Sequence, residues 1–162
     1  MIPLPPLKFH STAAFVSDIR KAKAFYLETL GQEIDLDFGK NVILKCGITL
    51  WEIQPGHIIP KKLGTGAVSD PKSNRFEFYF ETAEIETVYK RLVAAGAELL
   101  HPLHEEPWGQ RTIRLFDPDR HLLEIGEPLE VFVGRLHAEG MTPDEITAKT
   151  GVPLEKVKEF TL

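Results

Sequence analysis

A single cysteine, Cys46, stands in the 162 residues, so no internal disulfide forms and no Cys/His zinc spacing can be assembled. That fits a reducing compartment. Long uncharged apolar runs are also missing. The N-terminal MIPLPPLKF is broken by prolines, and nothing resembles a signal h-region or the ~20-residue run of a membrane span. The expectation is a cytoplasmic protein with no membrane partner. Basic charge is in deficit, 19 Lys and Arg against 24 Asp and Glu for a net charge of -5, and that balance repels a phosphate backbone. Nucleic acid is therefore not an expected partner. With 43% hydrophobic and 27% charged residues, the chain is neither disordered nor fibrous. Its length suffices for one core or two fused half-cores.

What is present is an internal repeat. From Phe9, FHSTAAFVSDIRKAKAFYLETLG reads as a strand, a turn with Asp18 as helix N-cap, and a helix with Ile19, Ala22, Phe25, Tyr26 and Leu30 on one stripe, closed by Gly31. From Arg75, RFEFYFETAEIETVYKRLVAAG repeats the pattern: Phe76, Phe78 and Phe80 alternate with polar neighbours before a helical stripe of Ile85, Val88, Leu92 and Val93. Ile19 falls on Ile85 and Ser11 on Glu77. Three strand-like stretches follow each helix, QEIDLDF, NVILKC and ITLWEI, then AELLHPL, RTIRLF and HLLEIGE. Matching the last stretches puts Glu52 on Glu124. DPDR reads as a hairpin turn. Between the copies, PGHIIPKKLGTGAVSDPKSN has no period and reads as a linker or flap. HPLHEE reads as surface loop.

After Glu127 the strand signal stops. Pro128 opens a helix with Leu129, Phe132, Val133 and Leu136 on one stripe, Thr142-Pro143-Asp144-Glu145 is a capping box, and a last short helix carries Val157 and Phe160. This tail has the rhythm of a helix-turn-helix. From Thr142 onward, however, three lysines face four acidic residues, the wrong sign for major-groove docking. These helices are expected to pack on the sheet, cap a cleft or contact a second subunit.

Two tandem βαβββ units, with VSDI- and FY-like helix text and the stretch EPWGQRTIRLFDPDRHLLEIGE, resemble the vicinal oxygen chelate superfamily of glyoxalase and bleomycin-resistance proteins. The resemblance covers Phe9 to Glu127. It implies an α+β protein of two modules, 7–54 and 74–127, joined by linker 55–73 into one cleft-forming domain, 7–127, with a helical extension at 128–162. It also implies a homodimer that binds a small molecule. In that superfamily up to four metal ligands project from the first and last strands of each module, which here correspond to Ser11, Glu52, Glu77 and Glu124.

Two functions stay open. Three converging carboxylates, Glu52, Glu77 and Glu124, repel one another unless a cation sits among them or one takes up a proton. A divalent ion would make the chain a lyase or isomerase acting on an oxygen-chelating substrate, with Glu77 or Glu124 shuttling a proton. Alternatively no metal is used, and the chain binds and sequesters a cationic or planar aromatic ligand between an acidic surface and walls such as Phe15 and Tyr79. The plainer reading of the acids is pairing of Glu77 and Glu124 with Arg75, Arg111 or Arg114. If the DPDR turn closes with an even loop, Arg111, Ile113, Leu115, Leu122 and Glu124 share one face, and Arg111 becomes either a substrate-anion clamp or only the partner of Glu124. Trp51 is expected on the face opposite Glu52, in the core.

Overall fold

The computed structural model describes residues 9–72 and 76–162. The first eight residues and Arg75 lie outside the described residues. The chain divides into two compact units, 1–73 and 74–162.

In the first unit, β1 (Thr12–Phe15), α1 (Ile19–Lys23, continued by a wider π turn over Ala24–Thr29), β2 (Ile34–Asp37), β3 (Asn41–Leu44) and β4 (Ile48–Trp51) build a sheet of order β1-β4-β3-β2, with β1 parallel to β4. In the second, β5 (Glu77–Glu81), α3 (Ile85–Ala94), β6 (Glu98–Glu105), β7 (Arg111–Phe116) and β8 (Leu122–Gly126) give the order β5-β8-β7-β6, with β5 parallel to β8. The repeat in the sequence is thus a repeated βαβββ topology, and the α+β class follows from it. Only the crossover helix lets the first and last strands run parallel.

Strand alternation divides each sheet into two faces. Val42, Leu44, Ile48, Leu50 and Ala14 are buried with Ile19, Ala22 and Tyr26 of the helical segment. In the second unit Phe78, Ile113, Leu115, Leu123 and Ile125 are buried with Ile85 and Leu92 of α3. Asp18 caps α1 as expected, accepting from Arg20 N–H at 2.9 Å and Lys21 N–H at 3.3 Å.

Several local expectations are corrected. The stretch expected as a linker or flap contains α2 (Ile58–Leu63) and a short 3-10 turn (Thr65–Val68), which its lack of a period did not announce; the His57 ring nitrogen accepts from Ile59 N–H at 3.2 Å and so starts that helix. HPLHEE is strand as far as Glu105, the end of β6, which contains register shifts that turn its side chains from one face to the other. The β7–β8 loop, Asp117–His121, holds an odd number of residues between the paired Phe116 and Leu122. Asp117 fixes it by accepting from the N–H groups of Asp119 and His121 at 2.9 and 2.8 Å. Parity is therefore reversed: Arg111, Ile113 and Leu115 share a face with Leu123 and Ile125, and Arg114 lies opposite Glu124.

The tail forms α4 (Leu129–Ala138), α5 (Pro143–Thr150) and α6 (Leu154–Thr161) around Phe132, Val133, Leu136, Ile146, Val152 and Val157. The Thr142/Glu145 capping box is present in full. Arg135 of α4 ties this bundle to the second sheet: it donates to Glu127 Oε2 at 3.0 Å, Gly109 O at 2.5 Å and Glu105 Oε2 at 3.3 Å. Gly109 sits at φ 93°, where a side chain is strained, and a Cβ there would lie 2.9 Å from Leu136 Cδ1 and force it to shift. Among the described residues no helix is long and apolar enough to cross a membrane.

Candidate functional site

The polar face of the second sheet carries the candidate site. Side chains of Glu77, Tyr79 and Glu81 on β5, Leu122 and Glu124 on β8, and Thr112 and Arg114 on β7 alternate onto that face, with Tyr79 beside Glu124 and Arg114 beside Glu124 in the ladder. Arg114 sits at its centre. Its Nε donates to Glu77 Oε2 at 3.0 Å, Nη1 to Glu106 Oε1 at 2.9 Å and Nη2 to Glu124 Oε2. Glu106 is fixed by a second donor, the Thr112 hydroxyl at 3.0 Å, and His101 Nε2 lies 3.5 Å from Arg114 Nη1.

The electrostatics follow from burial and crowding. Glu124 is 6% exposed; burial and the adjoining Glu77 carboxyl outweigh the Arg114 attraction and push it up to about 7. Burial also acts on Glu77, but hydrogen bonds from Arg114 and Glu124 prevail and hold it below the ordinary carboxylate value. Each carboxyl thus bears on the protonation of the other. Glu106 is likewise held low: burial opposes this, and its bonds from Arg114 and Thr112 overcome it.

Beside this cluster the Tyr79 ring is 49% exposed. Its hydroxyl donates to Glu81 Oε1 at 3.1 Å and accepts from Gln110 Nε2 at 2.9 Å. Gln110 is itself held by Glu127 O at 2.9 Å and by the Trp108 indole N–H at 3.1 Å. Burial and Glu81 push the Tyr79 hydroxyl up to about 12. Gly126 makes room for the ring, because a Cβ there would meet Gln110 Nε2 at 2.7 Å and Tyr79 Oη at 3.1 Å.

The other expected site residues lie elsewhere. Glu52 does not correspond to Glu124. Val16 N–H bonds Trp51 O just as Thr82 N–H bonds Gly126 O, so Glu52 matches Glu127, and Thr49 matches Glu124. The Glu52 carboxylate is engaged at the start of α1, accepting from Ile19 N–H at 2.9 Å and from Lys40 Nζ. Ser11 precedes β1 in the first unit, half-buried. Phe15 does face away from the core, and so does Trp51, which is half-buried against Phe15 with centroids 6.0 Å apart and against the His57 ring at 5.1 Å. The core assignment of Trp51 is thereby corrected. Arg111 pairs with Glu86 of α3 at 2.9 Å, on the helix side of its sheet; the expected shared face with Glu124 is lost to the odd loop. Arg114 and Glu106 are the residues that sequence reasoning undervalued. Counting the DPDR loop as odd would have found Arg114, whereas Glu106 depends on the shifts in β6, for which the sequence has no plain signal.

A family model described as a glyoxalase-like domain matches residues 9–130. The chain belongs to the glyoxalase-like family. Among solved structures, this glyoxalase-like chain is 33% identical to a protein of unknown function from Agrobacterium tumefaciens, over 78% of this chain and 98% of the other, at a TM-score of 0.65. It is 25% identical to a glyoxalase-related enzyme from Fulvimarina pelagi, over 75% and 88%, at 0.61, and 25% identical to a lactoylglutathione lyase from Agrobacterium tumefaciens, over 76% and 96%, at 0.51. No curated protein matches the chain.

Members of this superfamily often use a divalent metal ion. The residues present do not fit one. Glu77, Glu106 and Glu124 each spend an oxygen on Arg114, Glu52 spends both of its own at α1 and Lys40, and no group of three or more His, Cys, Asp or Glu able to hold a metal ion occurs among the described residues.

Proposed function

We propose that this glyoxalase-like chain is a small-molecule protein that binds a planar organic cation on the polar face of its second sheet, without a metal, as a cytoplasmic homodimer. One observation carries the reading: a half-exposed aromatic ring, Tyr79, lies beside carboxylates that outnumber their guanidinium partner. Ring faces attract cations, and a carboxylate excess adds Coulomb attraction. Gln110 bonds the Tyr79 hydroxyl and Gly126 leaves room for the ring, which lowers the ordering cost of stacking. Phe15, with Trp51 and His57, offers a second aromatic surface in the first unit. Dimerisation is frequent in the superfamily.

A second reading is favoured by Glu124. A carboxyl pushed up to about 7 and bonded to the same guanidinium as a second carboxyl suits general acid–base work, so a lyase or isomerase reaction is the alternative, with Glu124 giving and Glu77 taking the proton.

Titration with proflavine, a planar aromatic cation, tests the first reading. The expected result is saturable quenching of tryptophan fluorescence that weakens with salt. Tyr79→Leu lowers the affinity by about 2- to 30-fold, the range of a cation–ring contact, and Gly126→Ala lowers it by displacing the ring. No saturable binding, or binding indifferent to Tyr79→Leu, removes the reading.

A further inference from the structure

We propose that the α4–α6 bundle aims the Tyr79 ring through Arg135 and Gln110, which are positioning residues for the ligand surface; this regulation of the site rests on the planar-cation reading. The relay starts in the bundle. Arg135 Nη2 donates to Gly109 O at 2.5 Å and to Glu127 Oε2 at 3.0 Å. Gln110 depends on both of those residues: Gly109 precedes it in the chain, and Glu127 O accepts from its Nε2 at 2.9 Å. The same Nε2 donates to Tyr79 Oη at 2.9 Å, and the Tyr79 hydroxyl donates in turn to Glu81 Oε1 at 3.1 Å.

Each link has one orientation. An indole N–H only donates, and that of Trp108 meets Gln110 Oε1 at 3.1 Å, so the amide nitrogen is turned toward Tyr79 and Glu127. Glu127 is held on its other side. Its N–H donates to Arg111 O at 3.1 Å, its Oε2 accepts from Arg111 N–H at 2.9 Å, and Pro128, the cap of α4, follows it directly. Leu136 of α4 and Lys149 of α5 close on the same turn, since a Cβ on Gly109 would lie 2.9 Å from Leu136 Cδ1 and 3.1 Å from Lys149 Cε. The anchored end is buried, with Glu127 4% and Arg135 16% exposed, whereas the ring at the other end is 49% exposed. A bundle that shifts carries Glu127 and the turn with it, and the ring follows. By linkage, a ligand that holds the ring tightens the bundle by the same factor.

The test is a double-mutant cycle of Arg135→Lys and Gln110→Leu in the full chain, read in two ways. Lysine keeps the charge but has one nitrogen in place of the guanidinium fork. In the ligand-free chain, with tyrosine ring-labelled by ¹³C and the Tyr79 signal assigned by its loss in Tyr79→Leu, both single variants are expected to displace that signal and leave those of Tyr26 and Tyr89 in place. Proflavine affinity is expected to fall by about 2- to 13-fold in each, the size of one hydrogen bond, and the double variant should bind no more weakly than Gln110→Leu alone, because the second change acts through a link already cut. Glu139→Ala, which removes a partner of Arg135 outside the relay, is expected to alter neither reading. If Arg135→Lys does not fold, Glu127→Gln takes its place, since it weakens the grip of Arg135 and keeps the carbonyl that Gln110 uses. A Tyr79 signal unmoved by the change at Arg135 or Glu127, or losses that multiply in the double variant, overturns the inference. Absence of proflavine binding to wild type removes the planar-cation reading instead, and the ring signals of the free chain still decide the relay.

Discussion

The two modules share strand order, parallel first and last strands and a helix over one face, yet the other faces differ in charge. In the first module that face shows Ala13, Phe15, Ile43, Thr49 and Trp51; in the second it shows Glu77, Tyr79, Thr112, Arg114 and Glu124. Where one carries Thr49, the other carries the acid that binds the guanidinium. The difference teaches that the topology is written on the buried face, where Val42, Leu44 and Leu50 do the work of Ile113, Leu115 and Ile125. The opposite face was free to diverge in chemistry without altering a strand pairing, because alternate residues of a strand answer to different surroundings.

The largest expected break in this symmetry lies at Arg135, which has no counterpart in the first module. It is 16% exposed and its partner Glu127 only 4%. Arg135→Ala leaves a buried carboxylate unpaired and costs about 3–5 kcal/mol, read by urea unfolding and by proteolysis of the loosened α4–α6 bundle. A loss under about 1 kcal/mol, the size of an exposed pair, would mean that the bundle docks by apolar contact alone.

Next in size is a test of the shared core. Leu50 and Leu123 are both fully buried on matching strands, so Leu50→Ala and Leu123→Ala should each cost about 2–5 kcal/mol. A large effect in one with a small effect in the other would show that only one module carries the stability of the fold.

The smallest effect sharpens the comparison through pH. Burial and Glu77 raise Glu124 from 4.5 to about 7, so the folded state holds a proton that the unfolded state has released. Its contribution to stability is complete below pH 4.5 and disappears as pH rises through about 7. Glu52 behaves oppositely. Its bonds from Lys40 and Ile19 N–H lower it below 4.5, so its contribution is present above that value and is lost as pH falls through its folded pKa. In stability measured against pH, Glu124→Gln should flatten the decline between about 4.5 and 7, and Glu52→Gln should flatten the acid limb. Equal slopes of one sign for both variants would end the contrast between the two glutamates.

The helices, their caps and the repeat were legible in the sequence because each depends on neighbours a few residues away: Asp18 before Ile19, Thr142 three residues before Glu145, alternate phenylalanines at 76, 78 and 80. Membership of the glyoxalase-like family was legible for the same reason, in continuous stretches of text. Facing depended on more. One residue in the Asp117–His121 loop decides whether Arg111 or Arg114 meets Glu124, since side chains reverse with every step along a strand. The shifts in β6 decide that Glu106 arrives from a stretch that reads as loop. The sequence by itself determined that Glu77 and Glu124 lie on first and last strands of one module. Only the tertiary structure decided that an arginine stands between them, because register is a property of paired strands and no single strand contains it.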